Sequence, residues 1–267
     1  MATEDKKIHE TVIKEVMKHL QNISFSDSPP ELSREVHAII KKITKSKDPY
    51  KQVKINANKL VKNKYPKLKQ MISSAKDPLL MALKLSIVGN VIDFGTSKRF
   101  SLDEAIDAAS SKHFVDVDYP KFKEKLKKSK TVLYLADNTG EIFFDKLLLE
   151  KLSTMGKKLT YVVKANPIIN DATVEDAKFA EIDKIAKIVE GDDGQPHSCP
   201  GMVLKYASKE LIDQLKSSDM VISKGQGNYE SLSSIDRDIF FLLMVKCPLV
   251  ARDIDTELAE LVLRFKH

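Results

Sequence analysis

The chain has 267 residues, 44 of them Lys or Arg and 38 Asp or Glu, for a formal net charge of +6. Hydrophobic residues make up 42% and charged ones 31%, which supports a sizeable packed core and excludes global disorder. Two cysteines, Cys199 and Cys247, exclude a disulfide framework and any multi-cysteine zinc or iron–sulfur site. No apolar run reaches the roughly 18 residues of a membrane span, and the polar start MATEDKKIHE has no signal-peptide core. The expectation is a soluble, cytoplasmic protein with no membrane partner.

The charge is unevenly spread. Residues 1–130 carry 27 basic and 16 acidic side chains, or +11, and residues 131–267 carry 17 and 22, or −5. Ile8, Val12, Ile13, Val16 and Leu20 fall at helical spacing, as do Val36, Ile39, Ile40 and Ile43 after the Pro29–Pro30 break. Asp48–Pro49 opens a third helix towards Tyr65–Pro66, and Asp77–Pro78 caps a fourth over Leu79 to Val91. Ser101 with Glu104 is a capping-box signature for one more, through Ala109. Residues 1–128 thus read as an all-α helical subdomain.

From residue 129 the pattern changes. Thr131–Ala136, Leu159–Val163, Ile185–Val189, Met220–Ser223 and Phe240–Val245 are short apolar runs with helical stretches between them. That alternation predicts an α/β domain over 129–267, a doubly wound and mostly parallel sheet with helices on both faces. The polar stretch Glu190–Gly201 reads as a loop and a candidate active-site flap.

Three polar clusters directly follow predicted strands: Asp137-Asn138-Thr139-Gly140-Glu141, Asn166-Pro167-Ile168-Ile169-Asn170-Asp171 and Lys224-Gly225-Gln226-Gly227-Asn228. In a parallel sheet all three fall on the carboxyl edge, where ligands bind. Asp137 and Asn138 offer two hard oxygen ligands and Asp171 a third, a set suited to Mg²⁺ or Mn²⁺. The plainer reading is capping, of one helix by Asn138 with Glu141 and of another by Asp171. In the third cluster, Gly225 and Gly227 would let backbone amides approach an anion and Lys224 neutralise it, the plainer reading being a turn leading into a helix. Asn90 and Asp93, three apart, share one helical face, which either reaches from the helical half towards this edge or belongs to a C-cap and turn built on Gly95. A bare His197-x-Cys199 carries little information, and Cys247 reads as a buried thiol.

The blocks YLADNTGEIFFDKLLLEKL, VVKANPIINDATVEDA, VISKGQGNYESLS and KCPLVARDI, with GNVIDFG in the helical half, resemble in order the signature blocks of the DUF89 family. This family is also called the damage-control phosphatase or ARMT1-like metal-binding family, and the chain is similar to its archaeal–bacterial branch. The resemblance implies a divalent cation (Mn, Co, Ni or Mg) on Asp137, Asn138 and Asp171, a phosphate-binding loop at Lys224 with Asn228 beside it, and a substrate pocket lined by Asn90 and Asp93. The implied activity is metal-dependent hydrolysis of small phosphorylated metabolites such as sugar phosphates. Two departures stand out. The chain opens at Ala2-Thr3-Glu4-Asp5 without the Cys-pair segment usual in this branch, and Lys164-Ala165-Asn166 stands where relatives often have Arg-Gly-Gly. The second implies a weaker or repositioned anion contact.

The expected mechanism is phosphoryl transfer to water, with Asp171 or Asp137 orienting the water. Lys224 and the amides of Gly225 and Gly227 stabilise the equatorial oxygens in this scheme, and the helix starting near Gly140 adds its dipole. Two rival readings are an S-adenosylmethionine-dependent carboxyl methyltransferase, for which no glycine-rich strand-to-helix turn stands out, and a nucleic-acid-binding protein using the basic half. The second lacks the interleaved aromatic residues that stacking requires. The sequence leaves the oligomeric state open.

Overall fold

The computed structural model describes residues 2–24, 28–90, 103–104, 106–107, 114–115, 118–194 and 197–267. Asp93, Gly95, Ser101 and Ala109 lie outside them.

The helical half begins with α1 (Lys6–Leu20), α2 (Pro29–Thr44), α3 (Lys51–Ser73) and α4 (Pro78–Gly89). Ser28 precedes α2, and the Glu31 carboxylate reaches back to its amide at 3.1 Å, so Pro29 sits at the first helical position. Asp77 caps α4 as its sequence predicts, accepting from the amides of Leu79 at 3.1 Å and Leu80 at 3.0 Å. Helix α3 does not stop at Tyr65–Pro66 but runs through Pro66 to Ser73. The missing proline N–H is offset by packing on either side, where Val61 and Leu68 are both buried in the core. Helix α4 is buried nearly all round, from Leu79 through Gly89.

Two elements N-terminal of residue 129 belong to the sheet and its cover. Strand β1 (Phe114–Val115) joins the sheet, and α5 (Tyr119–Lys128) sets Phe122 edge-on against Phe240 at 5.2 Å between ring centroids. Then follow β2 (Thr131–Leu135), α6 (Glu141–Thr154), β3 (Lys158–Val163), α7 (Val174–Phe179), β4 (Lys187–Glu190) and α8 (Lys209–Ser217). The chain ends with β5 (Met220–Lys224), α9 (Gln226–Leu232), β6 (Ile239–Met244), α10 (Pro248–Ile254) and β7 (Leu261–Lys266).

Among the described residues the sheet has seven strands in the order β1-β7-β6-β5-β2-β3-β4. Every pairing is parallel except β6 with β7, which is antiparallel. Period-2 alternation sends Val132 and Tyr134 to one face and Leu133 and Leu135 to the other. The first face packs on α3, α4, α5 and α6, with Val61, Leu83, Ile87, Phe144 and Leu148 in one cluster. The second packs on α8, α9 and α10 through Leu211, Tyr229 and Ile254. The helical half therefore covers one face of the sheet and shares its core. Full burial of each such side chain is worth about 1.5–3 kcal/mol, which holds the carboxyl edge between two packed layers.

Candidate active site

The strand order fixes where a ligand belongs. From β2 the chain moves outward through β3 and β4, then returns to β5 on the other flank of β2 and continues to β6. The strands β2 and β5 are hydrogen-bonded neighbours whose connections run in opposite directions, which defines a switch point with a crevice outside their carboxyl ends. Asp137 follows β2 there and Gly225 follows β5.

The loop after β3 folds back onto this point. Thr139 N–H donates to Asn170 O at 2.9 Å and Ala172 N–H to Asp137 O at 2.9 Å, so Asn138 and Asp171 face each other as an antiparallel bridge. Asp171 N–H closes a turn onto Ile168 O at 3.0 Å, with Ile169 held at φ 44°, a left-handed conformation costly for a β-branched residue. The backbone thus brings Asp137, Asn138 and Asp171 together. Neither polar side chain serves as a helix cap. Gly140 is the N-cap of α6, and Thr173 starts α7, its amide and hydroxyl bonded to the Asp176 carboxylate at 2.9 and 2.8 Å.

Around Asp137 the charges crowd. Its Oδ2 accepts from Asn90 Nδ2 at 2.7 Å and from Asn138 Nδ2 at 2.8 Å. Burial, then the Glu141 and Asp171 carboxylates, push the Asp137 carboxyl well above the usual range, against the opposing pull of Lys246 and Lys224. Asn90, the C-cap of α4, also points Nδ2 at Glu141 Oε2, 3.2 Å away. Its Oδ1 is buried without a hydrogen-bond partner, as is the hydroxyl of Thr139. Two orphaned acceptors beside crowded carboxylates are costly unless something else occupies the crevice. Asp93, expected beside Asn90, lies outside the described residues.

Lys224 does not face the crevice. It is fully buried, and its ammonium donates to Ser86 O at 2.8 Å, to Asp145 Oδ1 at 2.8 Å and to Glu141 Oε1. All three of its donors are used, so no direct bond to a phosphoryl oxygen is left in this arrangement. Burial opposes its charge, but the Asp145 and Glu141 carboxylates outweigh it and hold the ammonium above its usual range. Asp145 also accepts from Tyr134 at 2.7 Å and Tyr161 at 2.8 Å, whose phenols are raised by burial and by this carboxylate. The result is a dry ionic network beneath the site.

The rest of the loop after β5 is likewise reassigned. Gly225 N–H donates to Leu242 O at 3.0 Å, inside the sheet, and is not offered to an anion. The need for glycine comes from its φ of 81° and from Asp137, whose carboxylate occupies the space of a Cβ. Asn228 Nδ2 donates to Ala136 O at 3.0 Å and Lys224 O at 2.8 Å, tying the ends of β2 and β5 together. Gly227 lies in the first turn of α9, where amides have no helical partner.

Lys246 and Glu141 escaped the sequence reading as site residues, and Lys164, read there only as a weaker or repositioned anion contact, joins them. Lys246, half-buried after β6, acts electrostatically on Asp137. Lys164, buried after β3, donates to Gly201 O and stands 3.8 Å from Asp171 Oδ2. Glu141 is fully buried and lies between Lys224 and the two asparagines. Lys164 and Lys246 lie just after strand ends and Glu141 opens the helix that follows β2, which was the available signal. The His197–Cys199 pair offers no nucleophile, because burial pushes the Cys199 thiol up to about 12.

Residues 1–262 match the damage-control phosphatase ARMT1-like domain. The chain belongs to this family. It is 34% identical to the damage-control phosphatase of Archaeoglobus fulgidus over 275 residues, covering 98% of this chain and 91% of that one. It is 36% identical to the damage-control phosphatase PH1575 of Pyrococcus horikoshii over 219 residues, covering 80% and 74%. The crystal structure of a DUF89 family protein from Pyrococcus horikoshii superposes with a TM-score of 0.87 at 31% identity, over 100% of this chain and 92% of that one. With the family comes the reaction class, a phosphohydrolase. Among the described residues no helix is long and apolar enough to cross a membrane.

Proposed function

We propose that the chain is a metal-dependent phosphatase of small phosphorylated metabolites, sugar phosphates among them, with a divalent cation held by Asp137, Asn138 and Asp171. The observation that carries this reading is the convergence of two carboxylates and an amide at the switch point of the sheet. Burial and two neighbouring carboxylates hold Asp137 out of its ordinary ionisation there, and a cation relieves that repulsion. Among the described residues no group of three His, Cys, Asp or Glu side chains is placed to hold a metal. The proposed donors are two carboxylates and an amide, all oxygen, which suits a hard cation that keeps part of its water shell. When bound, such a cation supplies Lewis acidity towards a phosphoryl oxygen and a lower pKa for water.

The protein's own groups do the rest. Glu141, paired with Lys224, accepts from the amide nitrogens of Asn90 and Asn138 and so orients both side chains. Asn90 Oδ1, buried without a partner beside Asp137, is the acceptor left for a substrate hydroxyl or for bound water. Lys246 and the first-turn amide of Gly227 are the positive groups for phosphoryl oxygens, in place of Lys224 and Gly225. Lys224 acts as a positioning residue beneath them.

The test is phosphate release from a panel of sugar phosphates and p-nitrophenyl phosphate, with Mn²⁺, Co²⁺, Ni²⁺ or Mg²⁺ and with EDTA, for wild type and Asp137→Ala. Metal-dependent release that the substitution lowers by at least about a hundredfold is expected. Metal-independent release, or full activity in Asp137→Ala, overturns the assignment of the site.

A further inference from the structure

A cavity of about 820 Å³ lies between α2 and the loops that follow β3 and β4, lined in part by Lys41, Lys42, Lys45 and Lys47. That volume is ordinary for a small-ligand site, roughly 300–1,000 Å³. Its lining holds one carboxylate, Glu35, and that charge is already paired with Arg34 at 2.5 Å. Among the described residues no carboxylate pairs with Lys42, Lys45 or Lys47. Lys41 is half-buried and donates to Pro167 O, a carbonyl on the cavity wall.

Part of this charge has a local explanation. Lys41 and Lys42 sit in the last turn of α2, where cations complement the helix dipole. Lys45 and Lys47 lie beyond the helix, and Lys45 is turned by a left-handed φ of 55°. A second, independent feature is His19 on α1, which lines the same cavity and whose Nε2 is buried without a hydrogen-bond partner. Like charge is felt across the space, since burial and the Lys41 and Arg34 charges lower the His197 pKa. Ala38 and Ile39 add an apolar surface to the lining.

We propose that this cavity is a second anion site, separate from the metal-binding edge, which takes a small ligand carrying two or more phosphate or carboxylate groups. Lys42, Lys45 and Lys47 supply the charge, and His19 Nε2 a directed hydrogen bond. The site is mechanically joined to the catalytic loop, because Lys41 holds Pro167 and Ile168 O closes the turn that carries Asp171. Occupancy therefore steadies the segment from Asn166 to Asp171.

Tripolyphosphate serves as the probe, titrated calorimetrically into the full chain in EDTA so that no metal bridges it to the other site. The comparison proteins are Asp137→Ala, His19→Ala and the triple variant Lys42→Gln/Lys45→Gln/Lys47→Gln, whose exposed side chains leave the fold intact. Binding is expected to survive Asp137→Ala, to weaken in His19→Ala, to fall at least about tenfold in the triple variant, and to weaken as salt rises. No binding to wild type overturns the proposal. Binding lost in Asp137→Ala but kept in the triple variant places the anion at the metal edge and also overturns it. Single-stranded RNA binding with the same lysine dependence, where tripolyphosphate fails, assigns the lysines to a polymer instead. None of these outcomes depends on phosphatase activity, so failure here is distinct from failure of the proposed function.

Discussion

Asp137 pays for its position. Its carboxyl is buried among Glu141 and Asp171, and its folded-state pKa lies well above the usual carboxylate value. A raised carboxylate pKa means that the folded state holds the proton more tightly than the unfolded chain. The stability this brings is complete below the unfolded pKa of about 4 and is lost as pH rises through the folded value. As pH rises above the unfolded value, this buried carboxyl costs the metal-free protein stability. Asp137→Asn should therefore raise the unfolding free energy in EDTA by about 0.5–2 kcal/mol at neutral pH while abolishing turnover. Urea unfolding of both proteins across this pH range checks it. An unchanged pH slope would mean that Asp137 carries no such cost.

At the scale of the element, the loop after β5 shows how one short sequence serves the site from beneath. Lys224 neutralises Glu141 and Asp145 where none of the three meets water. Lys224→Met should leave two buried carboxylates without a partner and cost about 3–5 kcal/mol, read from the urea midpoint. Adding Glu141→Gln to that variant should recover part of the loss, since it removes one of the stranded charges. No recovery would show that the pair is not coupled. Gly225→Ala acts differently, because the new methyl enters the space of the Asp137 carboxylate on a backbone at positive φ. It should cost stability and weaken Mn²⁺ binding together, and a variant with native metal affinity would contradict the contact.

This element also marks the limit of sequence reading. The sequence places Asp137, Asn138, Asp171 and Lys224 at strand ends because strands are legible as short β-branched runs and the parallel sheet puts their ends on one edge. Whether a lysine at such an end points outward or inward depends on acids elsewhere in the chain. Asp145 is one turn along α6 from Glu141, and nothing local announces that both turn inward to meet Lys224. Strand β7 was missed for a related reason: LVLRFK closes the sheet by antiparallel pairing with β6, an exception to the parallel pattern that the earlier strands set. The continuation of α3 through Pro66 likewise depends on the packing of Val61 and Leu68, not on local preference.

For the whole molecule, the site joins layers that fold as one body. Asn90 ends α4 in the helical half, Asp137 and Asn138 follow β2, Asp171 lies on the loop after β3, and Asn58 of α3 accepts from Gly140 N–H at 2.6 Å. Asn58 also donates to Asp176 at 2.8 Å, which fastens the start of α7 to the same helix. Because these groups come from elements that share one core, a cation at the edge binds only the folded arrangement. Its binding energy therefore adds to global stability rather than tightening one loop. At a concentration a hundred times its Kd, Mn²⁺ should add about 2.7 kcal/mol. For a chain of this length that corresponds to a rise in Tm of roughly 5–10 °C. The unfolding should remain a single transition by far-UV circular dichroism and by tyrosine fluorescence, since tyrosines lie in both layers of the core. Asp137→Ala should show no metal-dependent shift. If Mn²⁺ stabilised only part of the transition, or raised Tm equally in Asp137→Ala, the cation would be bound elsewhere and the two halves would not fold as one.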